Sequence, residues 1–333
     1  TVTYGTSSAS FLATRCLLQL ANEYEKTNPQ AASVIRSCFY VDDCLFGASS
    51  VQEAKKLQVE VSSILDSAHF HLRKWCSNSP EALTDIPVED LECSSPRTLT
   101  KDDSIKTLGI VWHPSNDNFQ IQINLKEISG TITKRKILAY IASMFDPLGW
   151  LGCVVIKCKL ILQQLWQLRL GWDEPINQTF PVYEEWMELY NNLHLLNNLV
   201  LPRKVLPFVH TKLIELHGFS DASETAYGAC VYVRSVSSDD KVSVILLASK
   251  SRVAPLKQQT IARLELCGAV LLARLMKKVV ESINLSMPCK SYYWSDSTIV
   301  LCWLRKPSNC WKTFVAHRVS EIQSLTVVDD WRH

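Results

Sequence analysis

The sequence predicts a mixed α/β chain of the α+β kind, and three observations carry that expectation. Apolar β-forming runs flank two adjacent acids, Asp42 and Asp43. A middle region combines helical spacing with an excess of Lys and Arg. From about residue 206, three apolar strand-like runs, a helix, one more strand and further helices follow in that order.

With 333 residues the chain is too long for one ordinary core, so two or three domains are expected. A hydrophobic content of 47% with 20% charged residues describes a folded, soluble protein. The net charge of +2 is no global basic signature, so affinity for nucleic acid must come from local patches. None of the 12 cysteines form Cys-x-x-Cys, and several lie in apolar runs (Cys153, Cys230, Cys267). Reduced, buried thiols in an intracellular protein are expected, rather than a disulfide frame or a zinc site. The most apolar stretch, Leu151 to Leu170, is interrupted by Lys157, Lys159 and Arg169 and makes a poor membrane span. No signal peptide opens the chain. It starts at Thr1 and stops in mid-pattern at His333, as a piece of a longer polypeptide would.

In chain order, small residues from Tyr4 to Ser10 precede an amphipathic helix from about Phe11 to Tyr24. Cys38 to Gly47 then reads as two short strands with Asp42 and Asp43 at or near the tip of a tight hairpin. At an effective dielectric of about 20, like charges about 4 Å apart repel by roughly 4 kcal/mol. A divalent cation relieves that repulsion, and carboxylate oxygens suit Mg²⁺; a solvent-facing Asp-Asp turn is the alternative. Ser49 to Leu65 is a Ser-capped packing helix, and His69 to Trp75 alternates as a strand. The polar, proline-bearing segment Ser77 to Asp103 reads as a loop. Lys106–Trp112 and Asn118–Asn124 form a hairpin around Pro114 to Asp117.

From Lys126 to Leu170 the bases Lys126, Lys134, Arg135, Lys136, Lys157, Lys159 and Arg169 stand against only Glu127 and Asp146. Two helices fit, about Thr133–Phe145 and Gly152–Leu170, broken at Asp146-Pro147-Leu148-Gly149. Such a pair can grip a phosphate backbone or simply present a solvated charged face. Residues 176–200 add another helix and a loop.

The last third carries a second set of acids. A strand ends on Asp221, a helix from about Thr260 to Glu281 carries Glu265, and another strand ends on Asp296. Each acid has a plainer explanation: a turn, a helix surface, a helix cap. Glu265 is the hardest to explain that way, because it lies between Leu264 and Leu266 on an apolar helix. Three strands, a helix, a strand and then helices is the element order of a ribonuclease H fold. Carboxylates converging from adjacent strands and a facing helix can hold two divalent ions about 3.5–4 Å apart. Integrases share this fold with the order Asp, Asp, Glu; here Glu is second. Ser223, Gln259, Thr260 and Ser297 are placed to read ribose hydroxyls of an RNA strand.

Tyr40-Val41-Asp42-Asp43 between apolar strands resembles the polymerase signature of reverse transcriptases. Leu108-Gly109-Ile110-Val111-Trp112 resembles the primer-gripping hairpin that follows the palm in that class. Thr133 to Tyr140, Phe145 to Gly149 and Gly171-Trp172-Asp173-Glu174-Pro175 look very like the Pol polyprotein of BEL/Pao-type LTR retrotransposons, the Pao retrotransposon peptidase family. The resemblance spans essentially the whole chain. It implies a partial reverse-transcriptase palm over 1–125, a helical thumb/connection region over 126–205, and an RNase H-like domain over 206–333 that lacks its last segment.

The function so implied is RNA-directed DNA synthesis coupled to ribonuclease H cleavage of RNA–DNA hybrids, with two Mg²⁺ per site (Mn²⁺ as substitute). Asp42 and Asp43 would be metal ligands of the polymerase, and Asp221, Glu265 and Asp296 those of the nuclease. Tyr40, Lys74, Gly109, Trp112, Lys134, Arg135, Lys136, Ser223, Thr260 and Ser297 would contact nucleic acid. Expected partners are an RNA template, a DNA primer, the hybrid, dNTPs and the protease and integrase segments of the same element, with no membrane. The setting would be a cytoplasmic virus-like particle with later nuclear entry. The family's upstream polymerase aspartate, its fingers and a fourth nuclease acid have no counterpart in the sequence. The chain is therefore expected not to polymerise DNA by itself, and to cleave weakly or not at all. The alternative is a non-catalytic nucleic-acid-binding relic of a decayed element.

Overall fold

The computed structural model describes residues 5–92, 105–107, 110–124, 128, 130–283 and 287–333. The chain divides into two compact units: Thr1–Thr107 with Val111–Gln120, and Leu108–Ile110 with Ile121–His333. Gly109, Tyr4 and Lys126, each singled out in the sequence, lie outside the described residues.

In the first unit, α1 (Ala9–Glu23) and α2 (Pro29–Ser37) lead into β1 (Phe39–Tyr40) and β2 (Asp43–Cys44), followed by α3 (Val51–Asp66). Pro29 opens α2, where its missing N–H costs nothing. The Ser50 hydroxyl accepts from Glu53 N, and the Glu53 carboxylate accepts from Ser49 N, so α3 starts on a reciprocal cap. Leu17, Leu20, Ile35, Leu57, Val61 and Leu65 make the core of this unit. Strands β3 (Ile105–Thr107), β4 (Ile110–His113) and β5 (Asn118–Ile121) follow.

The strand expected over His69 to Trp75 does not form. His69 (φ 62°) and Lys74 (φ 59°) both adopt left-handed backbone, which interrupts the extended run at each end. Phe70 and Leu72 still pack on the core, so the alternation is real while the ladder is absent. What remains is an isolated bridge between Trp75 and Leu91. His71 is held between Asp66 at 3.3 Å and the buried Asp90 at 3.0 Å. Those two carboxylates, Asp90 first, hold its imidazole above the usual range.

In the second unit, α4 (Lys134–Ser143), α5 (Gly152–Gln167), α6 (Pro181–Asn192) and the short β6 (Val200–Pro202) precede a five-stranded sheet. The sheet contains β7 (Thr211–Ala222), β8 (Ala226–Ser237), β9 (Val242–Val253), β10 (Lys290–Ser295) and β11 (Trp331–Arg332), in the spatial order β11-β10-β7-β8-β9. β7, β8 and β9 form an antiparallel meander, while β10 runs parallel to β7 and to β11. The parallel crossover is supplied by α7 (Ile261–Ser282); α8 (Thr298–Leu304) and α9 (Thr313–Leu325) complete the unit. Leu216, Val231, Val233, Leu266, Leu272 and Met276 are fully buried between α7 and the sheet.

The helix break at Asp146 to Gly149 is a docking loop. Leu148 O accepts from Ser249 N at 2.9 Å, Lys159 Nζ donates to Ser251 O at 3.1 Å, and Gln163 Nε2 donates to Ala254 O at 2.9 Å. The loop and α5 therefore occupy hydrogen-bonding groups of the edge strand β9 that would otherwise invite another strand. Gly149 has φ +77°, and a Cβ there would stand 1.9 Å from Ser249 O. No helix of the described residues is long and apolar enough to cross a membrane.

Candidate active site

Ser220 and Ser295 are register partners on the parallel strands β7 and β10. The next residue on each strand is an acid, so Asp221 and Asp296 emerge side by side from the same end of the sheet. Glu265 lies in the second turn of α7 and is buried, with 6% of its surface exposed. A carboxylate oxygen from each of the three lies within 4.8 Å of the others. Among the described residues this is the one group of three or more His, Cys, Asp or Glu close enough to share an ion.

Gly268, one turn beyond Glu265, lets α7 sit this low on the strands. A Cβ there would stand 3.3 Å from Asp221 O and 3.6 Å from Gly228 O. Gly218 performs the same service farther along, where a Cβ would lie 2.4 Å from Leu272 Cδ1. Sequence reasoning missed both, although Gly268 inside a good helix pattern, at a cost of about 1 kcal/mol, and Gly218 inside a strand are themselves signals of close packing.

The electrostatics of the trio are unfavourable without a cation. Like charges 4.8 Å apart repel by about 3 kcal/mol at an effective dielectric near 20. Burial, then Asp296 and Asp221, push the Glu265 carboxyl up to about 7. Its Oε2 is buried with no hydrogen-bond partner. An orphaned carboxylate oxygen facing two exposed carboxylates suits a hard divalent cation with oxygen ligands. The residues fit the expected metal.

At the other predicted site, β1 and β2 pair through Tyr40 and Asp43, leaving Val41 and Asp42 as the turn. Asp42 and Asp43 are exposed at the tip, and Tyr40 is 55% exposed. Val41 has φ 58°, a conformation that a β-branched residue rarely adopts. The Trp75 ring meets Phe46 edge-on at 6.3 Å, which sets the exposed Lys74 beside the chain leaving the hairpin.

Several predicted nucleic-acid contacts are otherwise engaged. Lys134 is corrected outright: it is only 4% exposed, with Nζ 4.5 Å from the Trp166 ring centroid and 5.7 Å from that of Trp172, so it cannot reach a phosphate. Arg135 is exposed but forked onto Asp173 at 2.8 and 2.9 Å, and Lys136 Nζ donates to Thr131 O at 2.9 Å. The Ser223 hydroxyl closes the β7–β8 turn through Thr225 and Ala226, and that of Ser297 caps α8 by accepting from Val300 N. Gln259 accepts from Arg263 at 3.4 Å. Thr260 is exposed at the start of α7. Trp112 Nε1 donates to Asp117 Oδ1 across its own hairpin.

A five-stranded mixed sheet with three acids gathered at the β7/β10 end and a buried Glu from the facing helix defines an RNase H-like domain. Residues 133–297 match the family described as the Pao retrotransposon-like RNaseH-like domain. That stretch is therefore similar to the RNase H-like domain of Pao-type retrotransposons, consistent with a BEL/Pao Pol region. Solved structures that resemble it include a foamy viral protease-reverse transcriptase with double-stranded DNA (14% identity, TM-score 0.45, 99% of this chain and 58% of that one). A second foamy viral protease-reverse transcriptase complex matches at 17% identity and TM-score 0.44, over 95% of this chain and 47% of the other. RNase H1 from Halobacterium salinarum matches at 16% identity and TM-score 0.22, over 35% of this chain and 81% of its own. The chain spans about half the length of the viral proteins. No curated protein matches the sequence.

Proposed function

We propose that the C-terminal unit is the nuclease of a retroelement Pol protein, hydrolysing the RNA strand of an RNA–DNA hybrid. The observation that carries this reading is the Asp221–Glu265–Asp296 trio, with its buried and unpartnered Glu265 oxygen. These three residues would hold one or two divalent ions, Mg²⁺ or Mn²⁺, which supply Lewis acidity at the scissile phosphodiester. Asp221 and Asp296, exposed at the ends of parallel strands, orient the site toward solvent and substrate. Burial and the two neighbouring carboxylates raise the metal-free Glu265 carboxyl to about 7, so binding of an ion there would displace its proton. In the longer Pol protein, Asp42 and Asp43 at their exposed hairpin tip serve the polymerase, acting with RNA template, DNA primer and dNTPs.

Calorimetric titration with Mn²⁺ tests the nuclease reading. Binding that disappears in Asp221→Asn and Asp296→Asn is expected; equal binding in these variants, or none in the parent chain, refutes it. Hybrid cleavage, where it occurs, is expected to vanish in Asp221→Asn.

A further inference from the structure

We propose that His71 is a pH-operated latch, whose doubly protonated ring ties the end of α3 to the Val88–Asp90 turn and so sets Lys74 and Trp75 beside the Asp42–Asp43 hairpin. The latch lies in the first unit and is independent of the acidic trio. One ring meets two carboxylates. Nδ1 stands 3.3 Å from Asp66 Oδ1, on the last residue of α3, and Nε2 stands 3.0 Å from both carboxylate oxygens of Asp90. Asp66 and His71 are about half exposed, while Asp90 is buried.

Hydrogen-bonding capacity makes this arrangement a switch. A neutral imidazole carries one N–H, so it donates to one carboxylate and turns a lone pair on the other. Only the imidazolium donates at both ends. Asp90 is the stronger claimant, because a buried charge left without a partner is costly. Arg73 Nε, 3.6 Å away, is its other cation. Deprotonation therefore leaves a bare Nδ1 facing Asp66 Oδ1, and the tie to α3 turns repulsive. Asp66 on α3, Asp90 on the turn and Arg73 on the ring's own segment are the charged groups gathered about it. Asp90 first and Asp66 second hold the imidazole above its ordinary 6.5. With the value raised on folding, the latch is complete below about 6.5 and opens as pH rises through the folded-state value.

The segment between α3 and the turn is fastened at two places in different ways. Lys55 of α3 donates to Asp85 Oδ2 and to Thr84 Oγ1, both at 2.7 Å, so only the His71 tie depends on an imidazole. After His71, Trp75 N donates to Asp90 O at 2.8 Å, and Glu92 N donates to Trp75 O at 3.1 Å. Left-handed backbone at His69 and Lys74 (φ 62° and 59°) brackets the stretch, which has the Trp75–Leu91 bridge in place of a strand ladder. The Trp75 ring meets Phe46 edge-on at 6.3 Å, just past the hairpin. Opening the latch therefore loosens the stretch that sets Lys74 and Trp75 against the chain leaving Asp42 and Asp43.

Two measurements on the full chain test the latch. In an NMR titration the His71 ring is expected to show a midpoint above 6.5, which Asp66→Asn moves down. A parent midpoint at or below 6.5, or one that Asp66→Asn leaves in place, overturns the proposal. The second measurement is amide exchange at Trp75 and Glu92, corrected for the intrinsic rate. Protection is expected to fall as pH rises through the His71 midpoint, by about tenfold for each pH unit by which that midpoint exceeds 6.5. His71→Gln is expected to remove this step. The His71 and Asp66 side chains are 54% and 52% exposed, so neither substitution puts the fold at risk. No step in the parent chain, or the same step in His71→Gln, equally overturns the proposal.

Discussion

Replacing Glu265 by Gln removes a charge that the fold tolerates poorly, and the consequence can be calculated. The carboxyl goes from 4.5 to about 7 on folding. Each pKa unit corresponds to about 1.4 kcal/mol, so the ionised side chain costs the metal-free native state up to about 3 kcal/mol. Relaxation and solvent around the exposed Asp221 and Asp296 reduce this to roughly 1–3 kcal/mol. The sign follows from proton counting. Between pH 4.5 and about 7 the native state binds more protons than the unfolded state, so stability falls as pH rises through that window. Gln keeps the shape and abolishes the titration. Thermal unfolding in a chelator is therefore expected to show Glu265→Gln matching the parent chain at pH 4 and exceeding it at pH 8. For a unit of this size, each kcal/mol shifts Tm by about 2–4 °C, so the difference should be roughly 3–9 °C. Adding Mg²⁺ should raise the parent's Tm and leave the variant nearly unmoved. A variant no more stable than the parent at pH 8 without metal, or an equal gap at pH 4, would refute the reasoning.

Three further outcomes are expected. Gly149→Ala should lose at least about 2 kcal/mol in denaturant unfolding, from its left-handed backbone and the collision with Ser249 O; Gly171→Ala, which meets nothing closer than 3.6 Å, should be nearly silent. Lys134→Met should lower stability by about 1–2 kcal/mol through the lost cation–π contacts while leaving hybrid affinity unchanged; weakened binding at unaltered stability would restore Lys134 as a phosphate contact. Val41→Gly should relieve the strained turn and slow amide exchange at Leu45, whose N–H bonds Cys38 O at 2.9 Å. Faster exchange there would mean that the turn holds no strain.

Features that act over a few residues were readable from the chain alone. A Ser caps the helix after the hairpin, Asp42 and Asp43 share a hairpin tip, and Asp221, Glu265 and Asp296 arrive in the order strand, helix, strand. Periodicity and capping are local physics, so these features were legible. Contacts between distant segments account for the rest. The basic run at Lys134 reads as solvated until Trp166 and Trp172, more than 30 residues on, close over it. The alternation from His69 to Trp75 found no partner strand, and the loop at Gly149 found Ser249 a hundred residues away. Glu265 became a strained acid only when Gly268 let its helix down onto the two strand ends. Burial and charge repulsion depend on what is near in space, and no local pattern encodes that distance.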